Sequence, residues 1–172
     1  GLARLWGLAV ADPILWEVAR SLGQDVPVCL ASRPAYFTGI GDATRPSAGL
    51  PAFHALLVNC GTPVPTPDVF RRRSGPFTPP LSDDPPTTDR DAFLRLLADR
   101  RNDLTSAATT LAPGIAEVRH ALEECPGARL ARMSGSGATC FALFDDGGRA
   151  EAARLRLLDL HPEWWIAAGR LL

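Results

Sequence analysis

The chain has 172 residues, 46% hydrophobic and 22% charged, and its 18 basic and 19 acidic side chains leave a net charge of −1. A polypeptide of this size buries about 70% of its extended surface, enough for one good core or two small ones, so wholesale disorder is excluded. The near-neutral balance lacks the basic footprint of a nucleic-acid binder, and no apolar run approaches the roughly 20 residues of a membrane helix, so neither partner is expected. The first residues, GLARLWGL, carry apolar positions at helical spacing with no capping residue before them and no signal-peptide pattern, as though the sequence opened inside an element. Asp12 and Pro13 suit a helix start, and Ile14, Leu15, Val18, Ala19 and Leu22 give that helix one apolar face before Gly23. Val26 to Ala31 and Ala35 to Ile40 are expected to be strands separated by a Ser-Arg-Pro turn, and His54 to Asn59 a third.

Between Cys60 and Thr88 the density of proline predicts a long irregular loop, interrupted by one short helix that Thr66 and Pro67 open and that carries Val69 and Phe70. Asp91 to Arg100 follows as a helix, Asn102 and Asp103 can cap the next, and Leu111 to Glu124 is a further one. The tail then changes period: strand Ala128 to Met133, loop Ser134-Gly135-Ser136-Gly137, strand Ala138 to Phe144, helix Arg149 to Leu160 and strand Trp164 to Ala168. This order predicts an α+β fold with an antiparallel sheet covered by helices on one face.

Every basic residue is arginine. With no lysine, the chain can complete neither a Walker-type phosphate loop nor Schiff-base chemistry by itself. The four cysteines form no CxxC pair and have no histidine at ligand spacing, so no metal site is expected, and four reduced thiols suit a cytoplasmic protein. His54, His120 and His161 lie in no identifiable catalytic motif.

Four features can carry chemistry, each beside a plainer reading. The Ser134 to Gly137 loop can turn backbone N–H groups toward an anion, although a tight connection between strands needs glycine anyway. Asp25, between a helix-ending glycine and an apolar run, can serve as a general base or as an ordinary turn residue. Phe70 can stack on a base or pin its loop to the core. The run Arg71 to Arg73 can meet phosphates, though a solvated helix end is the simpler reading.

Taken in order, LGQDVPVCL (Leu22 to Leu30), GIGD (Gly39 to Asp42), LLVNCGTPVPTPDVF (Leu56 to Phe70), RNDL (Arg101 to Leu104) and ARMSGSGATCFALF (Ala131 to Phe144) resemble a family within the GHMP kinase superfamily. That family is the kinases of 4-(cytidine 5'-diphospho)-2-C-methyl-D-erythritol, and the resemblance runs essentially to the end of the chain at PEWW (Pro162 to Trp165). It implies transfer of the γ-phosphoryl group of ATP, with Mg2+, to the 2-hydroxyl of the cytidylated substrate, a step of the non-mevalonate route to isoprenoid precursors. On this resemblance Asp25 matches the catalytic aspartate, Phe70 the aromatic that stacks on cytosine, and Thr66 and Pro67 the lining of the substrate pocket. Gly135, Ser136 and Gly137 match the third superfamily motif, a glycine loop near the phosphates.

The resemblance further implies a GHMP fold fragment: residues 1–50 as the latter part of the N-terminal domain and 51–172 as a C-terminal domain with a ferredoxin-like layer. The family's lysine, its tyrosine and histidine at the cytosine, and its ATP phosphate loop have no counterpart in this sequence, so the 172-residue chain alone is expected to be inactive. The alternatives are another GHMP kinase, acting on homoserine or mevalonate, and a non-catalytic ferredoxin-like ligand-binding module. PVPTPDVF speaks against the former, and the lack of a basic face against an RNA-binding form of the latter.

Overall fold

The computed structural model describes residues 5–7, 13–23, 25–38, 43–47, 49–79 and 88–171. The GIGD segment, Asp12 and the prolines at 80, 85 and 86 lie outside the described residues. The chain divides into two compact units, Gly1–Leu50 and Pro51–Leu172.

The first unit contains α1 (Pro13–Leu22), α2 (Val26–Ala31) and an antiparallel hairpin of β1 (Ala35–Thr38) and β2 (Ala43–Pro46). Helix α1 starts at its proline, as the sequence suggests, but of its apolar stripe only Ala19 is buried, while Ile14, Val18 and Leu22 are exposed. Val26 to Ala31 is a helix and not the expected strand. A six-residue apolar run does not distinguish a buried strand from a short helix by periodicity, and here Pro27 sits in the first turn, where its missing N–H costs nothing. The backbone N–H of Cys29 reaches the Asp25 carbonyl at 3.1 Å, and Ser32 ends the helix with a left-handed φ of 48°.

The second unit holds β3 (Phe53–Asn59), α3 (Thr66–Arg72), α4 (Arg90–Ala98), α5 (Thr105–Leu111), α6 (Gly114–Glu123), β4 (Ala128–Met133), β5 (Cys140–Phe144), α7 (Gly147–Leu160) and β6 (Trp165–Leu171). Its sheet has the order β4-β5-β3-β6 with every neighbouring pair antiparallel. The alternation β-α-β-β-α-β in this order is the ferredoxin-like arrangement the motif series implies. Leu111 closes α5, and α6 begins at Gly114 and not at the expected Leu111, because Pro113 cannot continue the preceding helix.

Helices cover both faces of the sheet, where a single covered face was expected. On one side Leu56 and Val58 of β3, Met133 of β4 and Cys140, Ala142 and Phe144 of β5 pack with Val69 (α3), Ala108 (α5), Ile115, Val118 and Leu122 (α6) and Leu157 (α7). On the other side Phe53, Ala55 and Leu143 meet Leu94 of α4, with Phe93 and Leu97 beside it. Burial on both faces explains why β3 reads as a nearly continuous apolar run, with no clean alternation. Helix α4 is fixed at its start by the Asp89 side chain, which accepts from Ala92 N, and along its flank by Arg129, which bridges Asp91 and Asp145. Helix α7 is capped by Asp146, whose carboxylate accepts from Gly148 N and Arg149 N.

Candidate functional site

The sequence-selected residues of the second unit converge. Thr66 begins α3 after Pro65, with Pro67 in the first turn. One turn on, Val69 is fully buried and anchors the helix in the core, and this orientation leaves the Phe70 ring 53% exposed. Phe70 therefore does not pin the loop to the core; it presents an apolar face to solvent. The Thr66 hydroxyl meets the Ser136 hydroxyl at 2.7 Å, which ties the start of α3 to the glycine turn 70 residues away.

The turn itself links β4 to β5. Ser134 N donates to Thr139 O at 2.9 Å and Gly137 N to Ser134 O at 3.0 Å, closing it from both sides. Gly137 has φ +91°, and a Cβ there would lie 3.1 Å from both Ile115 Cδ1 and Met133 Sδ, so conformation and packing together demand glycine.

Two asparagines hold this turn in place. Asn59, at the end of β3, donates to the Thr139 hydroxyl at 2.8 Å and accepts from Gly61 N at 2.8 Å. Asn102 donates its amide to Met133 O at 3.1 Å and to Gly135 O at 2.7 Å, while its Oδ1 accepts from Leu104 N at 3.0 Å. Capping accounts for only the last of these bonds, so Asn102 chiefly positions the turn. Sequence reading assigned this role to neither asparagine; the only signal was that both sit inside motifs already singled out. Asn102→Ala should cost about 1–3 kcal/mol by stranding two carbonyls and a backbone N–H. Chemical denaturation checks the cost, and amide hydrogen exchange should accelerate at Gly135 to Gly137 with β5 unaffected.

Asp103 does different work from the expected cap. Its carboxylate accepts from Thr78 N at 2.6 Å, the Thr78 hydroxyl at 2.8 Å and Arg101 Nε at 2.8 Å, tethering the proline-rich segment to the start of α5. The Thr78 N–H, then its hydroxyl, then the Arg101 side chain hold the Asp103 pKa at about 2, below its ordinary 3.8. A depressed carboxylate stabilises the fold fully above its unfolded value and loses that contribution as pH falls through the folded one. The difference in Tm between the native chain and Asp103→Asn should thus be constant above pH 4 and close as pH falls toward about 2. A gap that persists at pH 2 would contradict this tether.

The arginine run takes the plainer of its two readings. Arg71 pairs with Asp68, and Arg73 donates to the carbonyls of Ser74 and Gly75 and stacks over the Phe77 ring at 3.5 Å, as in a solvated helix end. The cysteines are all free, and burial pushes the Cys140 thiol up to about 12, far from a nucleophile's range. Asp25 belongs to the first unit, at the N-cap of α2; it is exposed and its side chain makes no capping bond.

Residues 86–162 match the family described as GHMP kinases C terminal. A crystal structure of 4-(cytidine 5'-diphospho)-2C-methyl-D-erythritol kinase superposes with a TM-score of 0.72 and 32% identity, over 97% of this chain and 60% of that one. A homoserine kinase structure from Cytophaga hutchinsonii aligns over 100% of the chain and 61% of its own, with a TM-score of 0.67 at 19% identity, which speaks to the fold alone. With its ferredoxin-like unit and glycine turn, the chain is similar to the GHMP kinases. Within them it is similar to the 4-diphosphocytidyl-2-C-methyl-D-erythritol kinases. It is 45% identical to that of Paramagnetospirillum magneticum, over 100% of this chain and 60% of the relative. It is 47% identical to that of Gluconacetobacter diazotrophicus, over 99% of the chain and 55% of the relative. The chain thus spans well under two thirds of the length of these relatives.

Proposed function

We propose that this chain is the C-terminal portion of a kinase that phosphorylates 4-(cytidine 5'-diphospho)-2-C-methyl-D-erythritol on its 2-hydroxyl with ATP, in the non-mevalonate route to isoprenoid precursors. Residues 1–50 would complete the N-terminal GHMP domain and 51–172 form the C-terminal one, in agreement with the division of the chain at Leu50. The observation that carries the reading is the hydrogen bond between Thr66 and Ser136 beside an exposed Phe70, which couples the substrate-side helix to the glycine turn. The fold does not choose the substrate, since homoserine kinase shares it; the PVPTPDVF helix and its exposed ring do.

In this reading Asp25 accepts the proton of the 2-hydroxyl as its oxygen attacks the γ-phosphorus and ADP leaves. Phe70 stacks on cytosine, Thr66 and Pro67 line the substrate pocket, and Gly135, Ser136 and Gly137 lie near the phosphates. Phosphoryl transfer depends mostly on positioning and charge stabilisation of the phosphates, and the lysine and phosphate loop for that have no counterpart here, so the isolated chain is expected to lack activity. Mg2+ would arrive with ATP, ligated largely by the phosphates themselves; among the described residues no three His, Cys, Asp or Glu side chains gather to cage a metal. Four free cysteines favour a reducing, cytoplasmic setting, and among the described residues no helix is long and apolar enough to cross a membrane.

The test is a chimera in which this chain replaces the matched region of the Paramagnetospirillum magneticum kinase. ATP-dependent phosphorylation of the cytidylated substrate by the chimera, and none by the 172-residue chain, is the expected result. A folded chimera that phosphorylates homoserine but not the cytidylated alcohol would refute the substrate assignment.

A further inference from the structure

Edge strand β4, helix α5 and the flank of α6 line a cavity of about 780 Å3 that includes none of Thr66, Phe70 or Ser136. Four arginines line it, Arg100, Arg101, Arg119 and Arg132, and among the described residues one carboxylate, Asp103. Asp103 is engaged by Arg101, and Arg119 pairs with Glu123 at 3.0 Å. Arg100 and Arg132 have only carbonyl partners, Pro79 O and Leu97 O respectively, and no carboxylate among the described residues. Two polar atoms on this wall are buried without a hydrogen-bond partner, Arg100 Nε and the Thr109 hydroxyl. A buried donor left without a partner is costly, and so is positive charge gathered with fewer counter-charges than cations. An anion in the cavity supplies the missing counter-charge.

We propose that this cavity binds a small phosphate-dense anion, held by Arg100, Arg119 and Arg132 with the Thr109 hydroxyl as a neutral donor. Among the described residues the wall contains no aromatic side chain on which a base could stack, so the ligand is recognised through its phosphates. The planar forks of the arginines suit bidentate phosphate contacts, which a lysine would not provide. Burial, and after it the nearby Arg119 charge, lower the pKa of Arg132, the direction an added anion would reverse.

The experiment is calorimetric titration of the full chain with inorganic pyrophosphate, with inorganic phosphate and ADP as parallel probes. Pyrophosphate should bind, and ADP no more tightly than pyrophosphate, because its base finds no platform. Arg100→Gln should weaken pyrophosphate binding about tenfold or more, the effect of losing a charged hydrogen bond. Thr109→Val keeps shape and removes a hydroxyl that makes no bond within the protein. It should leave Tm unchanged or raised and still weaken binding several-fold, which a purely structural role for Thr109 would not do; Phe70→Ala should leave pyrophosphate binding untouched. Failure of the folded chain to bind pyrophosphate at about 10 mM in low salt, where such electrostatic contacts are least screened, would overturn the proposal. So would binding of any of the three probes that is indifferent to both Arg100→Gln and Thr109→Val.

Discussion

Asp25→Asn in the chimeric kinase should lower kcat for the cytidylated alcohol by about 10²–10⁴-fold, the range over which a positioned general base contributes, with little change in KM for either substrate. The substitution is chosen because asparagine caps a helix as well as aspartate does. Asp25 stands at the N-cap of α2, yet its side chain makes no capping bond, so neither residue is needed there for stability. If the carboxylate were only a turn residue, Asp25→Asn would be silent in both Tm and kcat. If it accepts the substrate proton, kcat falls while Tm stays within a degree or two. A kcat within about threefold of the parent, less than any general base supplies, would remove Asp25 from the chemistry.

How much of this was legible in the sequence depends on how local each determinant is. Strand β3, the α3 helix and the glycine turn were readable because their signals, an apolar run, a Thr-Pro start and a Ser-Gly-Ser-Gly connection, lie within a few residues of one another. Helix α2 was misread because its whole signal is six apolar residues, and Pro27 fits a helix's first turn as readily as a strand's start. The second covered face of the sheet escaped because α4 follows β3 only after a long proline-rich stretch, and nothing in Phe93, Leu94 or Leu97 says which face they will meet. Asn102 escaped for the same reason at atomic scale: its partners are carbonyls 31 and 33 residues away, and a carbonyl has no side-chain signature. The family resemblance supplied roles that local reading left open, and the exposure of Phe70 then removed the packing alternative for that ring.

Phe70→Ala should weaken binding of the cytidylated substrate by about 1–3 kcal/mol, the usual worth of a base stacked on an aromatic ring, or roughly 5- to 150-fold in Kd, and leave ATP binding unchanged. The contrast with its neighbour makes this a site prediction and not a folding one. Val69 has no exposed surface and lies in the main core, so Val69→Ala should destabilise the fold. Phe70, at 53% exposure, gives up little buried area on truncation, and Tm should hold. Phe70→Trp should restore affinity, because the larger ring still offers a stacking face, whereas Phe70→Leu, apolar but without a π-face, should not. Equal losses for ATP and the cytidylated substrate in Phe70→Ala, or full recovery with leucine, would show that the ring contributes general apolar contact and not recognition of cytosine. The reading of α3 as the nucleobase-binding helix would then fail, even with Thr66 and Ser136 still joined.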